Sequence, residues 1–237
     1  MRYLFAAVAA IGLGALAFGA LGQPATAQDE GPAVPVQNAS YHQPVFTNDH
    51  VMVLNVYIPP GRGSNYHTHS LDQIGVLVEA ANQTGQVMGG PVTGPRHGTK
   101  GNVNYSADSQ HHVTHRGSNV GETPFHNIVV ALTKPGPEGL TPGVRDVPGY
   151  TQVVDSDRVR AWRLTLEPGQ SVGAITQKSP GMRIVVDGGE IVESVPGARD
   201  RARAFKLGDF FWQDGGQTRA IRNVGTTRVE LVEFELK

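Results

Sequence analysis

"PPGRGSNYHTHSLDQ", Pro59 to Gln73, sets two histidines one residue apart behind a Pro-Pro-Gly turn. Alternate residues of a β-strand face the same side, so His67 and His69 can meet one ion together if this stretch is extended. Neutral imidazole suits Fe, Mn, Zn, Ni and Cu alike, so the donors do not choose among them. Gln73 follows where a metal site would usually place a carboxylate. The competing reading is a solvated histidine pair beside a turn, and the surrounding chain decides between the two.

Working outward, the chain repeats itself. "DHVMVLNVYIPPG" (Asp49 to Gly61) lies without a gap over "DRVRAWRLTLEPG" (Asp157 to Gly169). "HRGSNVGETPFHNIVVAL" (His115 to Leu132) lies over "RAIRNVGTTRVELVEFEL" (Arg219 to Leu236), with Asn-Val-Gly on Asn-Val-Gly. Two matching segments in the same order indicate duplicated units. Between them, "KPGPEGLTPGVRDVPGY" (Lys134 to Tyr150) has the Pro and Gly of a linker. The expected division is a first domain over 39–135, a linker over 136–147 and a second domain over 148–237, with 28–38 as an N-terminal extension.

Composition agrees with two β-rich units. The 237 residues suffice for one large or two modest cores, and 30 Gly with 16 Pro favour short strands joined by turns. Val51 to Ile58, Ile74 to Glu79 and Asn127 to Leu132 read as strands in the first unit. Arg160 to Leu166, Arg183 to Val186 and Arg228 to Leu236 read so in the second. Some alternate and some are continuously apolar, as in strands that face a core on one side and solvent or another sheet on the other. Trp162 and Trp212 are expected to fill cores. "RDRARAFK" (Arg199 to Lys206) reads as a solvated basic hairpin.

Charge and cysteine content exclude several classes. With 20 basic and 21 acidic residues the formal net charge is −1, so no global field points to nucleic acid or an anionic membrane. There is no cysteine, hence no disulfide and no thiol chemistry. No phosphate-binding loop and no nucleophile elbow occur. The N-terminus differs from the rest: Met1-Arg2 precedes the uncharged run "LFAAVAAIGLGALAFGAL" (Leu4 to Leu21), and "ATAQ" (Ala25 to Gln28) follows. This pattern is a secretory signal over 1–27, cleaved after Ala27. A retained anchor is the alternative, since the run just reaches spanning length. The mature chain is expected to be periplasmic or secreted from a bacterium, without stable membrane association.

Gly61, five residues, His67-Thr68-His69, three residues and Gln73 together resemble the first motif of the cupin family, in which a Glu stands at the Gln73 position. "GDFFWQDGGQTRAIRN" is similar in spacing to the second: Gly208, Gly216 and Asn223 hold their places, with Asp214 for the motif Pro and Arg219 for its His. The resemblance covers nearly the whole mature chain. It implies an all-β fold of two tandem cupin-type jelly-roll β-barrels (a bicupin). It also implies motif histidines pointing inward onto one divalent transition metal.

"QHHVTHRGSN" offers His111, His112 and His115 for the remaining ligand. His112 keeps the family spacing from Gly101; His115 keeps the spacing to Asn119, and the internal repeat sets His115 on Arg219. The expected metal residues are therefore His67, His69, Gln73 and His115. His111 would stand behind them, His112 would face solvent, and His126 would pack or hydrogen-bond. Gln73 either offers its carbonyl oxygen to the ion or makes an ordinary hydrogen bond beside it. Asp72 and Glu79 fit the place less well.

In the second domain the same frame carries Ile175, Thr176, Gln177, Met182 and Arg219, which do not make a divalent site. This half is expected to stabilise the first or to provide a homodimer surface. Arg219 either captures an anion or is bridged by Glu230, Glu233 or another acid. Two functions stay open. One is a metal-dependent oxygenase, isomerase or lyase acting on a small anionic organic molecule. The other is a non-catalytic small-molecule or metal-binding protein. No catalytic acid or base can be named from the sequence.

Overall fold

The computed structural model describes residues 31–237, so the expected signal peptide and its cleavage site lie outside the described residues. Alternation sets the strands. Val51–Ile58 buries Val51, Val53, Leu54, Val56 and Ile58, and Val159–Leu166 buries its apolar residues in the same rhythm.

The first half holds β1 (Val34–Pro35), β2 (His42–Thr47), β3 (Val51–Ile58), β4 (His67–His69), β5 (Gln73–Glu79), β6 (Asn82–Val87), β7 (Val92–His97), β8 (Val103–Ser106), β9 (Val113–Asn119) and β10 (Phe125–Leu132). They form two sheets, ordered β1-β4-β9-β6-β7 and β2-β3-β10-β5-β8. The second half holds β11 (Tyr150–Asp155), β12 (Val159–Leu166), β13 (Ser171–Gln177), β14 (Gly181–Asp187), β15 (Gly189–Ser194), β16 (Arg201–Phe205), β17 (Phe210–Gln213), β18 (Gln217–Asn223) and β19 (Val229–Leu236). Its sheets are ordered β11-β12-β19-β14-β17 and β13-β18-β15-β16. The fold is all-β: two tandem jelly-roll barrels, each a pair of sheets.

The β2-β3-β10-β5-β8 sheet and the β11-β12-β19-β14-β17 sheet share one core. Val53, Ile74 and Val130 of the first half pack in the same cluster as Ala161, Ile184 and Phe234 of the second. This explains the continuously apolar strands, which meet a barrel interior on one face and the facing sheet of the other half on the opposite face. The first barrel's separate interior cluster is smaller, built on Val36, Leu54, Val56, Ile58 and Val129. The second has its own around Leu164, Ile191, Phe205, Ile221 and Leu231.

Two connecting segments do more than their sequence suggests. In the N-terminal extension, β1 pairs in parallel with β4, Val34 beside His67. The Pro/Gly-rich stretch between the halves carries Arg145, which is buried and paired with Glu233 and Glu235 of β19. Gly136 also donates its N–H to the Lys237 carbonyl at 2.7 Å. That segment is thus stitched onto the second barrel.

Candidate metal centre

β4 pairs antiparallel with β9, placing His67 opposite His115 and His69 opposite Val113. Strand alternation then directs His67, His69 and His115 to one face. Their ligating nitrogens all lie within 4.8 Å of one another. The rings meet edge to face, with centroids 4.7 Å apart for His67 and His115 and 5.0 Å for each of the other two pairs.

Hydrogen bonds on the far side of the rings set the tautomers. His67 Nδ1 donates to the Asn65 carbonyl at 3.0 Å, which leaves Nε2 with its lone pair. That Nε2 is buried and has no hydrogen-bond partner. His69 Nδ1 donates to Gln73 Oε1 at 3.1 Å, and its Nε2 lies 3.1 Å from His115 Nε2. Burial lowers the pKa of His67, and burial plus the neighbouring His67 lowers His69 and His115 to about 4. All three are neutral near pH 7, the form that ligates metal. A buried lone pair without a donor is costly, and a divalent cation among three converging imidazoles would satisfy it. The residues present fit such an ion.

No protein-family model matches the sequence, and no curated protein matches it. Solved structures do. AerE from Microcystis aeruginosa superimposes with a TM-score of 0.57 at 12% identity, over 83% of this chain and 97% of that one. YhaK from Escherichia coli gives 0.55 at 10% identity, over 84% and 92%. Salicylate 1,2-dioxygenase from Pseudoaminobacter salicylatoxidans, in its gentisate adduct, gives 0.54 at 14% identity, over 79% and 68%. The chain has the fold of a two-domain cupin.

Within this fold the remaining candidates separate clearly. Gln73 approaches the triad from behind His69. Its Oε1 accepts from His69 Nδ1, and its Nε2 donates to Asp108 Oδ2 at 2.8 Å. The oxygen, for which the sequence left the ion and an ordinary hydrogen bond both open, is engaged on His69 Nδ1. Asp108, buried at 8% exposure, stands at the end of an imidazole–amide–carboxylate chain. Asp72 is buried too, but it accepts from Ser109 and from Arg158 of the second half, away from the triad. His111 and His112 are exposed. His126 hydrogen-bonds Asn55 Oδ1 at 2.6 Å.

His42 escaped the sequence reading. It is buried on β2 with its ring 4.4 Å from that of His67, and Nδ1 donates to the Ser40 carbonyl at 2.9 Å. Burial, with His67 adding to it, lowers its pKa to about 4. No motif marks it, because β2 reaches the triad only through barrel closure.

The second barrel repeats the frame with other chemistry. Ile175 pairs with Arg219 as His67 pairs with His115, and Thr176 bonds Thr218 at 2.7 Å as Thr68 bonds Thr114 at 2.8 Å. Arg219 donates to Gln177 Oε1 at 3.0 Å. Guanidinium and aliphatic groups stand where the first barrel has imidazoles.

Proposed function

We propose that the first barrel holds one divalent metal on His67, His69 and His115 and acts as a metal-dependent oxygenase, isomerase or lyase on a small anionic organic substrate. The observation that carries this is His67 Nε2, buried without a partner and facing the ring nitrogens of His69 and His115. When bound, the ion would act as a Lewis acid that polarises substrate oxygen. The chain's own residues prepare the site. Asn65 holds the His67 ring through its carbonyl, and Gln73, itself held by Asp108, holds that of His69. Such partners fix ring orientation and raise ligand basicity. Three neutral imidazoles add no charge of their own, so an anionic ligand at an open position is favoured. The similar salicylate 1,2-dioxygenase carrying gentisate supports the choice of a small carboxylate. Export, with cleavage after Ala27, belongs to the same proposal and rests on the sequence of residues 1–27.

Elemental analysis of protein purified without added metal should give one divalent ion per chain, and none in the His67→Ala/His69→Ala variant. Oxygen uptake with small aromatic carboxylates, gentisate included, then tests oxygenase turnover, and product analysis of the same mixtures tests the other two. Two ions per chain, or metal retained by the double variant, would overturn the site. A loaded protein that turns over none of these carboxylates would instead support a binding role.

A further inference from the structure

The second barrel contains a cavity of about 210 Å³, lined by four arginines, Arg183, Arg201, Arg203 and Arg219, against two carboxylates, Glu193 and Asp214. Both acids are engaged. Glu193 pairs with Arg183 at 2.5 Å and with Arg203 at 2.7 Å, and Asp214 accepts from the Trp212 indole at 3.0 Å. Arg219 has no ion pair among the described residues; its recorded partner is the neutral amide of Gln177. The acids that could have bridged it are held elsewhere. Glu233 is taken by Arg145, Arg183 and Tyr150, and Glu230 by Arg163 and Arg228.

A second observation points the same way. The Arg183 side chain is only 3% exposed, and its Nη2 is buried with no hydrogen-bond partner. Buried guanidinium N–H groups without acceptors are costly, and a carboxylate offers two acceptor oxygens in the plane of the fork. Burial pulls the Arg219 pKa below its ordinary value; Glu233 opposes this and Arg183 adds to it. Four arginines against two carboxylates leave the lining short of negative charge. Phe205 and Phe211, with ring centroids 5.1 Å apart, give the cavity an apolar wall. The volume falls below the roughly 300–1,000 Å³ of sites for drug-sized ligands, so the occupant carries one ring or less.

We infer that the second barrel binds a small organic carboxylate, with Arg219 as its anchor and the Phe205–Phe211 wall receiving its apolar body. The site is separate from the histidine triad and stands whether or not the first barrel is an enzyme. Arg219 occupies the register place of His115, so the position that turns an imidazole toward a cation in one barrel turns a cation toward an anion in the other.

Calorimetric titration of the full chain, freed of metal by chelation, tests this with acetate, benzoate, neutral benzamide and inorganic phosphate. Benzoate should bind most tightly, and Arg219→Gln should weaken it by about tenfold or more, as expected for loss of a charge-assisted pair. Arg219→Lys, which keeps the charge without the fork, should fall between and serves if the Gln variant does not fold. The His67→Ala/His69→Ala variant should bind benzoate as the native chain does. Unchanged benzoate affinity in the Arg219 variants, or failure of the native chain to bind either carboxylate, would overturn the inference. Tighter binding of phosphate or benzamide than of benzoate would overturn it too, by assigning the cavity to an inorganic or a neutral ligand.

Discussion

Asn119 in the first barrel donates to the carbonyls of Ile58 and Thr123 at 2.9 and 2.8 Å and accepts from the Gly121 N–H at 3.0 Å. Asn223 in the second donates to Leu166 and Thr227 and accepts from Gly225 at the same three distances. The interiors have diverged around this common frame. In the first barrel Gly75 pairs with Val129 and Gln73 with Ala131; in the second, Arg183 pairs with Glu233 and Gly181 with Glu235. His42 beside the triad corresponds to Tyr150, which donates to Glu233 at 2.8 Å. Side chains that serve the backbone were kept, and side chains that point into the closed volume were exchanged. One barrel keeps Gly75 and Ala131 near three imidazoles; the other carries a network of buried ions.

The contrast can be broken most forcefully by acid. In metal-free protein, His42, His69 and His115 are lowered to about 4 from an ordinary 6.5. Between those values the unfolded chain binds protons that the folded chain refuses. Their contribution is therefore complete above about 6.5 and is lost as pH falls toward 4. Burial alone would raise Glu233, but the Arg183 and Arg145 cations hold it well below its ordinary 4.5. Its contribution stays in place until the pH falls below about 4.5. Hydrogen-exchange protection measured from pH 7 to 4 should fade first in β4 and β9, and only later in β14 and β19. Simultaneous loss would count against the difference between the interiors.

Next in size is Glu233→Gln. Breaking a buried, multiply paired charge should cost about 3–5 kcal/mol in chemical denaturation, while metal content stays as in the native chain. A loss under about 1 kcal/mol, the usual worth of an exposed pair, would mean that the network fills space without holding the barrel.

The shared frame gives a matched pair of tests. Asn119→Ala and Asn223→Ala each leave buried carbonyls without a donor, so each should destabilise by about 1–3 kcal/mol, and by similar amounts. Clearly unequal losses would show that the two asparagines hold their barrels differently. The smallest effect concerns Gln73. Gln73→Leu removes the acceptor from His69 Nδ1 and should lower metal affinity about 10–100-fold. Gln177→Leu, at the place that His69 holds in the first barrel, should leave metal affinity unchanged. Complete loss of metal in Gln73→Leu would return Gln73 to the ion itself.

Much of this protein is legible in its sequence because β-structure writes a period and duplication writes a register. Val51 to Ile58 and Arg160 to Leu166 could be placed from alternation alone. The internal repeat favoured His115 over His112, and the structure sets His115 opposite His67 with His112 exposed. Other residues carry no local signal. His42, Asp108 and Arg145 lie outside every motif and are joined to their partners by hydrogen bonds or packing across long sequence separations. The orientation of Gln73 was open because an amide oxygen serves an ion or an imidazole equally well; only the position of Asp108 turns it. The partner of Arg219 is likewise open in the sequence, because only the tertiary structure pairs Glu233 with Arg145 and Arg183. Periodicity states which face a side chain takes, and it is the closure of the sheets that determines which other side chains share that face.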